Sequence, residues 1–169
     1  NERAEPIPFY GELGSVNPQF ILENKLAENA KELAQGLVAS LMMAQGQFCT
    51  SPGIWAYVTN ENSITFENSA SQAVSETNSG VMLTPGIANS YNNAVKQWQN
   101  IAGVECLAQG KKPSSEQEHF CSAALFATDL ATFKSNEILH EEVFGSSALI
   151  ERCKNQAELM EFITLLKGD

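Results

Sequence analysis

Leu26, Ala30, Leu33, Leu37 and Leu41 recur along the chain at steps of three and four residues, and Ala34 and Val38 widen the same stripe. Apolar residues at that spacing line one face of a helix. The pattern predicts a long helix introduced by Glu23 and Asn24 and ending near Gly46. Gly36 lies inside it; a glycine there costs about 1 kcal/mol relative to alanine, which predicts close packing at that point. Met42 and Met43 read as core filling. Phe66, Ala70, Ala73, Val74 and Thr77 keep the helical period up to Gly80, behind a turn of cap-forming residues at 59–63. Ile87, Tyr91, Val95, Trp98 and Ala102 share one face of a third helix. Asn155 can cap a terminal helix that turns Leu159, Phe162, Ile163 and Leu166 inward.

The segments between these helices have the look of strands. Residues 9–15 are apolar and aromatic around Glu12, and 17–22 form a second extended run. Ile54 to Val58, Gly103 to Ala108, Cys121 to Thr128 and a last strand centred on Ala148, Leu149 and Ile150 follow. Residues 81–86 read as a connection with a short extended piece, and 129–133 as a helical turn or loop. Strands alternating with helices predict one α/β domain, a mostly parallel open sheet flanked by helices. No internal repeat is visible.

Composition narrows the function classes. A chain of 169 residues with 43% hydrophobic content can bury a real core, and no apolar run has the length that spans a bilayer. The formal charge of −10 argues against nucleic acid and against anionic membranes as partners. The four cysteines at 49, 106, 121 and 153 form no C-x-x-C pair, and His119 and His140 have no metal-ligand spacing with them. Dispersed cysteines of this kind predict reduced thiols, a cytoplasmic protein and no metal. No phosphate-binding or dinucleotide glycine signature occurs. The chain opens on Asn1, without an initiator methionine, as if cut from something longer.

Three stretches carry candidate chemistry. Gly46-Gln47-Phe48-Cys49-Thr50-Ser51-Pro52-Gly53 is a turn between the long helix and the 54–58 strand. A cysteine there can present its sulfur to a cleft as a nucleophile; the alternative is a small apolar side chain in a connecting loop. Glu12 sits among apolar residues, where a carboxylate is costly unless partnered or protonated. It reads either as a general base or as a strand-end residue reaching solvent. Glu141, Glu142 and Phe144 read alone as a solvated acidic turn and a core aromatic.

Taken in order, these stretches resemble the aldehyde dehydrogenase superfamily. Glu12-Leu13-Gly14-Ser15 is similar to its E-L-G-G strand, Gly46-Gln47-Phe48-Cys49-Thr50 to its G-Q-x-C-x loop, and Glu141-Glu142-Val143-Phe144-Gly145 to its E-E-x-F-G motif. The chain departs from the pattern at Ser15, where glycine is usual, and at Ser146, where proline is usual. The wording around Pro6 to Gly14 and Phe48 to Gly53 is nearest to the subgroup acting on 2-oxoglutarate semialdehyde or on fatty aldehydes.

The resemblance implies a catalytic Cys49 that attacks an aldehyde, passing through a thiohemiacetal and a thioester, with its own backbone N–H as one oxyanion donor. It implies Glu12 as the base for the hydrolytic water, and Glu142 and Phe144 as the residues meeting the nicotinamide ribose and ring of NADP or NAD. It further implies a homo-oligomeric parent enzyme, of which this chain is a single catalytic-domain piece. The dinucleotide-binding domain and the closing C-terminal segment are expected to lie outside it, and the isolated chain is expected to be inactive. Two readings compete: a thiol hydrolase or acyltransferase pairing Cys49 with His119 or His140, and a non-catalytic α/β binding module.

Overall fold

The computed structural model describes residues 7–8, 14–112 and 119–166. Strand β1 (Pro18–Ile21) leads into helix α1 (Glu23–Met42), whose last residues tighten into a 3₁₀ turn at Met43–Gly46. Then come β2 (Ile54–Val58), α2 (Glu61–Glu76), β3 (Gly80–Val81) and α3 (Pro85–Gln99). The second half holds β4 (Glu105–Gln109), β5 (Phe120–Cys121), β6 (Ala124–Asp129), α4 (Leu130–Ser135), β7 (Ser147–Cys153) and α5 (Gln156–Leu165).

Five strands form one sheet in the order β1-β2-β7-β6-β4, and β3 pairs with β5 in a separate ribbon. The pairs β1–β2, β2–β7 and β6–β7 are parallel, whereas β4 runs antiparallel to β6 along one edge. The expected α/β class with a mostly parallel sheet is what the chain forms.

The central strands β2, β6 and β7 are apolar on both faces, because helices cover both. Trp55, Tyr57, Leu125 and Ile150 face α1 and α2, which contribute Leu26, Ala34, Leu41, Phe66 and Val74. The Phe66 ring meets Trp55 at 5.9 Å and Tyr57 at 5.7 Å, both edge-on. Ile54, Phe126 and Leu149 face the other way, against Tyr91 and Trp98 of α3, Phe133 of α4 and Phe162 of α5. On the α1–α2 side Arg152 joins three elements. Its Nε and Nη2 donate to Glu67 at 2.7 and 2.6 Å, and its Nη1 donates to Glu105 at 2.8 Å. Tyr57 donates its hydroxyl to the same Glu67 carboxylate, and burial beside that carboxylate pushes the phenol well above its ordinary range.

Helix starts follow the cap residues. Asn60 and Ser63 form a reciprocal capping box on α2, Thr84 caps α3 with Pro85 in first position, and Asn155 accepts from the Glu158 N–H of α5 at 3.0 Å. Several expectations need correction. Gly36 is exposed, and a Cβ built there would meet nothing within 4 Å, so no close packing explains it. Met43 is 59% exposed and Met42 only partly buried, so they are not the core pair expected. The 121–128 run is two strands, β5 and β6, interrupted at Ser122 and Ala123. Ile163 faces outward, Leu166 is only partly covered, and α3 stops before Ala102. The strand expected around Glu12 lies outside the described residues. No helix among the described residues is long and apolar enough to cross a membrane.

Candidate active site

The end of α1 sets the geometry. Ala44 (φ 47), Gln45 (φ 59) and Gly46 (φ 70) all take the left-handed conformation. For residues with a Cβ this costs roughly 1–2 kcal/mol each, so other contacts must hold the turn. Gly46 supplies one of them. It lies so close to Gly145 that a Cβ would overlap the Gly145 carbonyl, and only glycine fits. Gly145 (φ 151) in turn lies flat against the Tyr91 ring, where a Cβ would overlap Cδ2. The Tyr91 hydroxyl is shared between the carbonyls of Ser122 at 2.8 Å and Ser146 at 3.2 Å. Gln47 bridges outward: its Nε2 donates to the Ala44 carbonyl and its Oε1 accepts from the Leu83 N–H, both at 2.8 Å. The glycine and glutamine before Phe48 thus have separate mechanical roles.

Beyond Gln47 the chain turns once, closed by the Ser51 N–H donating to the Phe48 carbonyl at 3.0 Å. Cys49 and Thr50 occupy the tip, and Cys49 is exposed. The turn is fastened from outside by the residues ahead of β1. Ser15 donates its hydroxyl to the Cys49 carbonyl at 2.6 Å, and Asn17 donates its amide to the Thr50 carbonyl at 2.7 Å. The Ser15 N–H meanwhile donates to Oε2 of Glu142 at 3.1 Å. Two candidate residues far apart in sequence, Cys49 and Glu142, are therefore linked through one intermediary.

Glu142 stands between two spaces. On one side a cleft of about 390 Å³ lies between the 142–144 segment and α3, with Phe144, itself 38% exposed, on its wall beside Thr84, Ser90 and Tyr91. On the other side Glu142 faces a narrow space of about 20 Å³, bounded by Ser15, Ser51, Trp98 and Ser147. That is room for one water molecule. Ser51 Oγ, Ser147 Oγ and Trp98 Nε1 are buried without a hydrogen-bond partner among the described residues.

The remaining expected residues divide cleanly. Glu12 lies outside the described residues. The His140 ring stacks on Phe133 at 4.2 Å with 8° between planes, and its Nε2 is 3.0 Å from the Phe133 carbonyl, a packing role within the α4 region. The His119 carbonyl accepts from the Met82 N–H at 2.7 Å beside the β3–β5 ribbon. Among the described residues no group of His, Cys, Asp and Glu could hold a metal ion. Burial pushes the thiols of Cys106 and Cys121 up, and pushes Cys153 up to about 12 with help from Glu151 and Glu158. Those three are protonated at neutral pH. Sequence reasoning missed the work of Ser15, Gln47 and Tyr91. The only available signal was Ser15 itself, a hydroxyl where the resembled motif has glycine.

An open α/β sheet with a cysteine turn ahead of a central strand and an E-E-x-F-G segment ahead of its neighbour is the arrangement of an aldehyde dehydrogenase catalytic domain. The chain belongs to the aldehyde dehydrogenase family, whose sequence profile matches residues 3–163. It is 33% identical over 168 residues to alpha-ketoglutaric semialdehyde dehydrogenase 2 of Azospirillum brasilense, a match covering 99% of this chain and 32% of that protein. Its fold superposes on succinic semialdehyde dehydrogenase from Streptococcus pyogenes, solved with NADP+, with a TM-score of 0.72 at 20% identity, covering 89% of this chain and 33% of the other. Betaine aldehyde dehydrogenase from Staphylococcus aureus, solved with NAD+, gives a TM-score of 0.70 at 19% identity, over 89% and 31%. The chain spans about a third of the length of the curated relatives it matches.

Proposed function

We propose that this chain supplies the nucleophile-bearing part of an NAD(P)-dependent aldehyde dehydrogenase that oxidises a semialdehyde to the carboxylate. The observation that carries the reading is the placement of Cys49: exposed at the tip of a fastened turn and tied through Ser15 to Glu142. Family membership and the alpha-ketoglutaric semialdehyde dehydrogenase relatives support the reaction type, and 2-oxoglutarate semialdehyde is the first substrate to try.

In this reading the Cys49 thiolate attacks the aldehyde carbon and forms the C–S bond of a thiohemiacetal, whose oxyanion is met by the Cys49 N–H. A nicotinamide held beside Glu142 and Phe144 would supply the acceptor for the hydride that leaves that carbon. The resulting thioester is cleaved by water, freeing the acid and returning the thiol, and Glu12 is the base for that step. Glu142 suits the cofactor side of the site. Its Oε2 accepts from Ser15, Oε1 has no hydrogen bond among the described residues, and the carboxylate borders the wide cleft, where it would accept from ribose hydroxyls. Phe144, half out of the surface on the same wall, offers a flat apolar face to the ring. The enzyme that contains the chain is proposed to be a cytoplasmic homo-oligomer; four unpaired cysteines support a reducing compartment.

The test is to trap the covalent intermediate. The enzyme containing this chain is mixed with 2-oxoglutarate semialdehyde and NAD(P)+, quenched in acid and digested. An acyl adduct on the peptide carrying Cys49, absent in Cys49→Ser, is the expected result. Turnover by Cys49→Ser, or an adduct on another cysteine, would refute the assignment.

A further inference from the structure

Resting on the reading of Cys49 as nucleophile, we propose that Ser15 is the positioning residue of the site, its hydroxyl setting the cysteine turn while its backbone N–H sets Glu142. The argument begins at the edge of the sheet. Strand β1 pairs in parallel with β2 from Pro18 opposite Ile54 onward. Proline has no N–H, so Pro18 gives the ladder no donor where the two chains first meet. Towards the N-terminus the two segments stay joined outside the ladder, Ser15 and Asn17 against Cys49 and Thr50. There the bonding passes to side chains: Ser15 Oγ to the Cys49 carbonyl at 2.6 Å and Asn17 Nδ2 to the Thr50 carbonyl at 2.7 Å.

The two bonds made by Ser15 differ in what they require. The bond to Glu142 uses the backbone and would survive most substitutions. The bond to Cys49 needs a hydroxyl. The carbonyl it engages belongs to the peptide that follows Cys49, so holding it restrains the rotation of the cysteine's own backbone and hence the direction in which its Cα–Cβ bond leaves the turn. Upstream of Cys49 the chain is in left-handed conformation over three residues, which an unfastened turn could relax. The carbonyl also lies at an exposed tip, where water would otherwise take the bond without orienting anything. Ser15 therefore places the nucleophile and the cofactor-side carboxylate relative to one another, a task that neither motif does by itself.

The experiment compares the enzyme containing this chain with its Ser15→Ala and Ser15→Thr variants. Alanine removes only the hydroxyl; threonine keeps it. Two quantities are read across neutral and mildly alkaline pH: the iodoacetamide rate of Cys49 relative to the exposed Cys106, and hydrogen exchange of the Ser51 amide that closes the turn. Ser15→Ala is expected to lower the Cys49 to Cys106 rate ratio about three- to tenfold, the range one net hydrogen bond accounts for, and to speed Ser51 exchange. Ser15→Thr should restore both. An unchanged ratio in Ser15→Ala, or a threonine variant that behaves like alanine, overturns the proposal. If the peptide carrying Cys49 takes no acyl adduct in the trapping experiment even with Ser15 present, the nucleophile reading itself falls. Faster Ser51 exchange in Ser15→Ala would then leave Ser15 a loop fastener and overturn its positioning role.

Discussion

Glu151 sits in the middle of β7 with no exposed surface, and neither of its carboxylate oxygens has a partner among the described residues. Its neighbours on the sheet are Ala56 and Thr128, and Thr128 gives its hydroxyl to the Gly103 carbonyl instead. Burial, with smaller repulsion from Asp129 and Glu158, pushes the carboxyl from 4.5 up to about 8. Unfolded, the same group ionises in the ordinary carboxylate range. Between that range and about pH 8 the folded chain therefore holds one proton more than the unfolded chain, and stability falls as pH rises. The slope is about 1.4 kcal/mol per pH unit, reaching roughly 3 kcal/mol near neutrality. Glu151→Leu should flatten this slope and raise the melting temperature more at mildly alkaline than at acidic pH. Equal shifts at both pH values in thermal melts would show that Glu151 does not carry the proton.

Among the elements, α1 gives the cleanest test. Gly36 lies on its exposed face with open space around the missing Cβ. Gly36→Ala should therefore stabilise the chain by about 0.5–1 kcal/mol through backbone entropy, read as a higher urea midpoint with an unchanged slope. A loss of stability would mean that something covers this face. The same helix shows what is legible in a sequence. Of the stripe read from the three- and four-residue spacing, Leu26, Ala30 and Leu41 are buried together with the flanking Ala34 and Val38, whereas Leu33 and Leu37 are only partly covered. Asn155 named its own helix by its cap. Periodicity reports which face is apolar, not whether a second layer reaches it. That is why Met43 and Ile163 were expected inside and are found outside.

For the whole molecule, the class and the central strands were readable because apolar runs alternate with amphipathic helices. The direction of the edge strand was not. β4 lies antiparallel on β6; β4 follows α3 and β6 follows β5, and direction depends on how residues 110–112 and 119–123 return to the sheet and not on either strand's composition. The candidate site was half legible. Motif order brought Cys49, Glu142 and Phe144 to notice, and the fold sets Cys49 and Glu142 on either side of Ser15. The bonds of Ser15, Gln47 and Tyr91 join segments tens of residues apart, which no local pattern encodes.

The account turns on Cys49 being made ready by its turn. The most direct test is competitive alkylation of the folded chain with limiting iodoacetamide, locating the label on each cysteine by mass. Cys49 should be labelled well ahead of Cys106, the other exposed thiol, with Cys121 and Cys153 protected until the chain unfolds. Labelling of Cys49 no faster than Cys106 would contradict the account, because the turn would then expose a cysteine without preparing it.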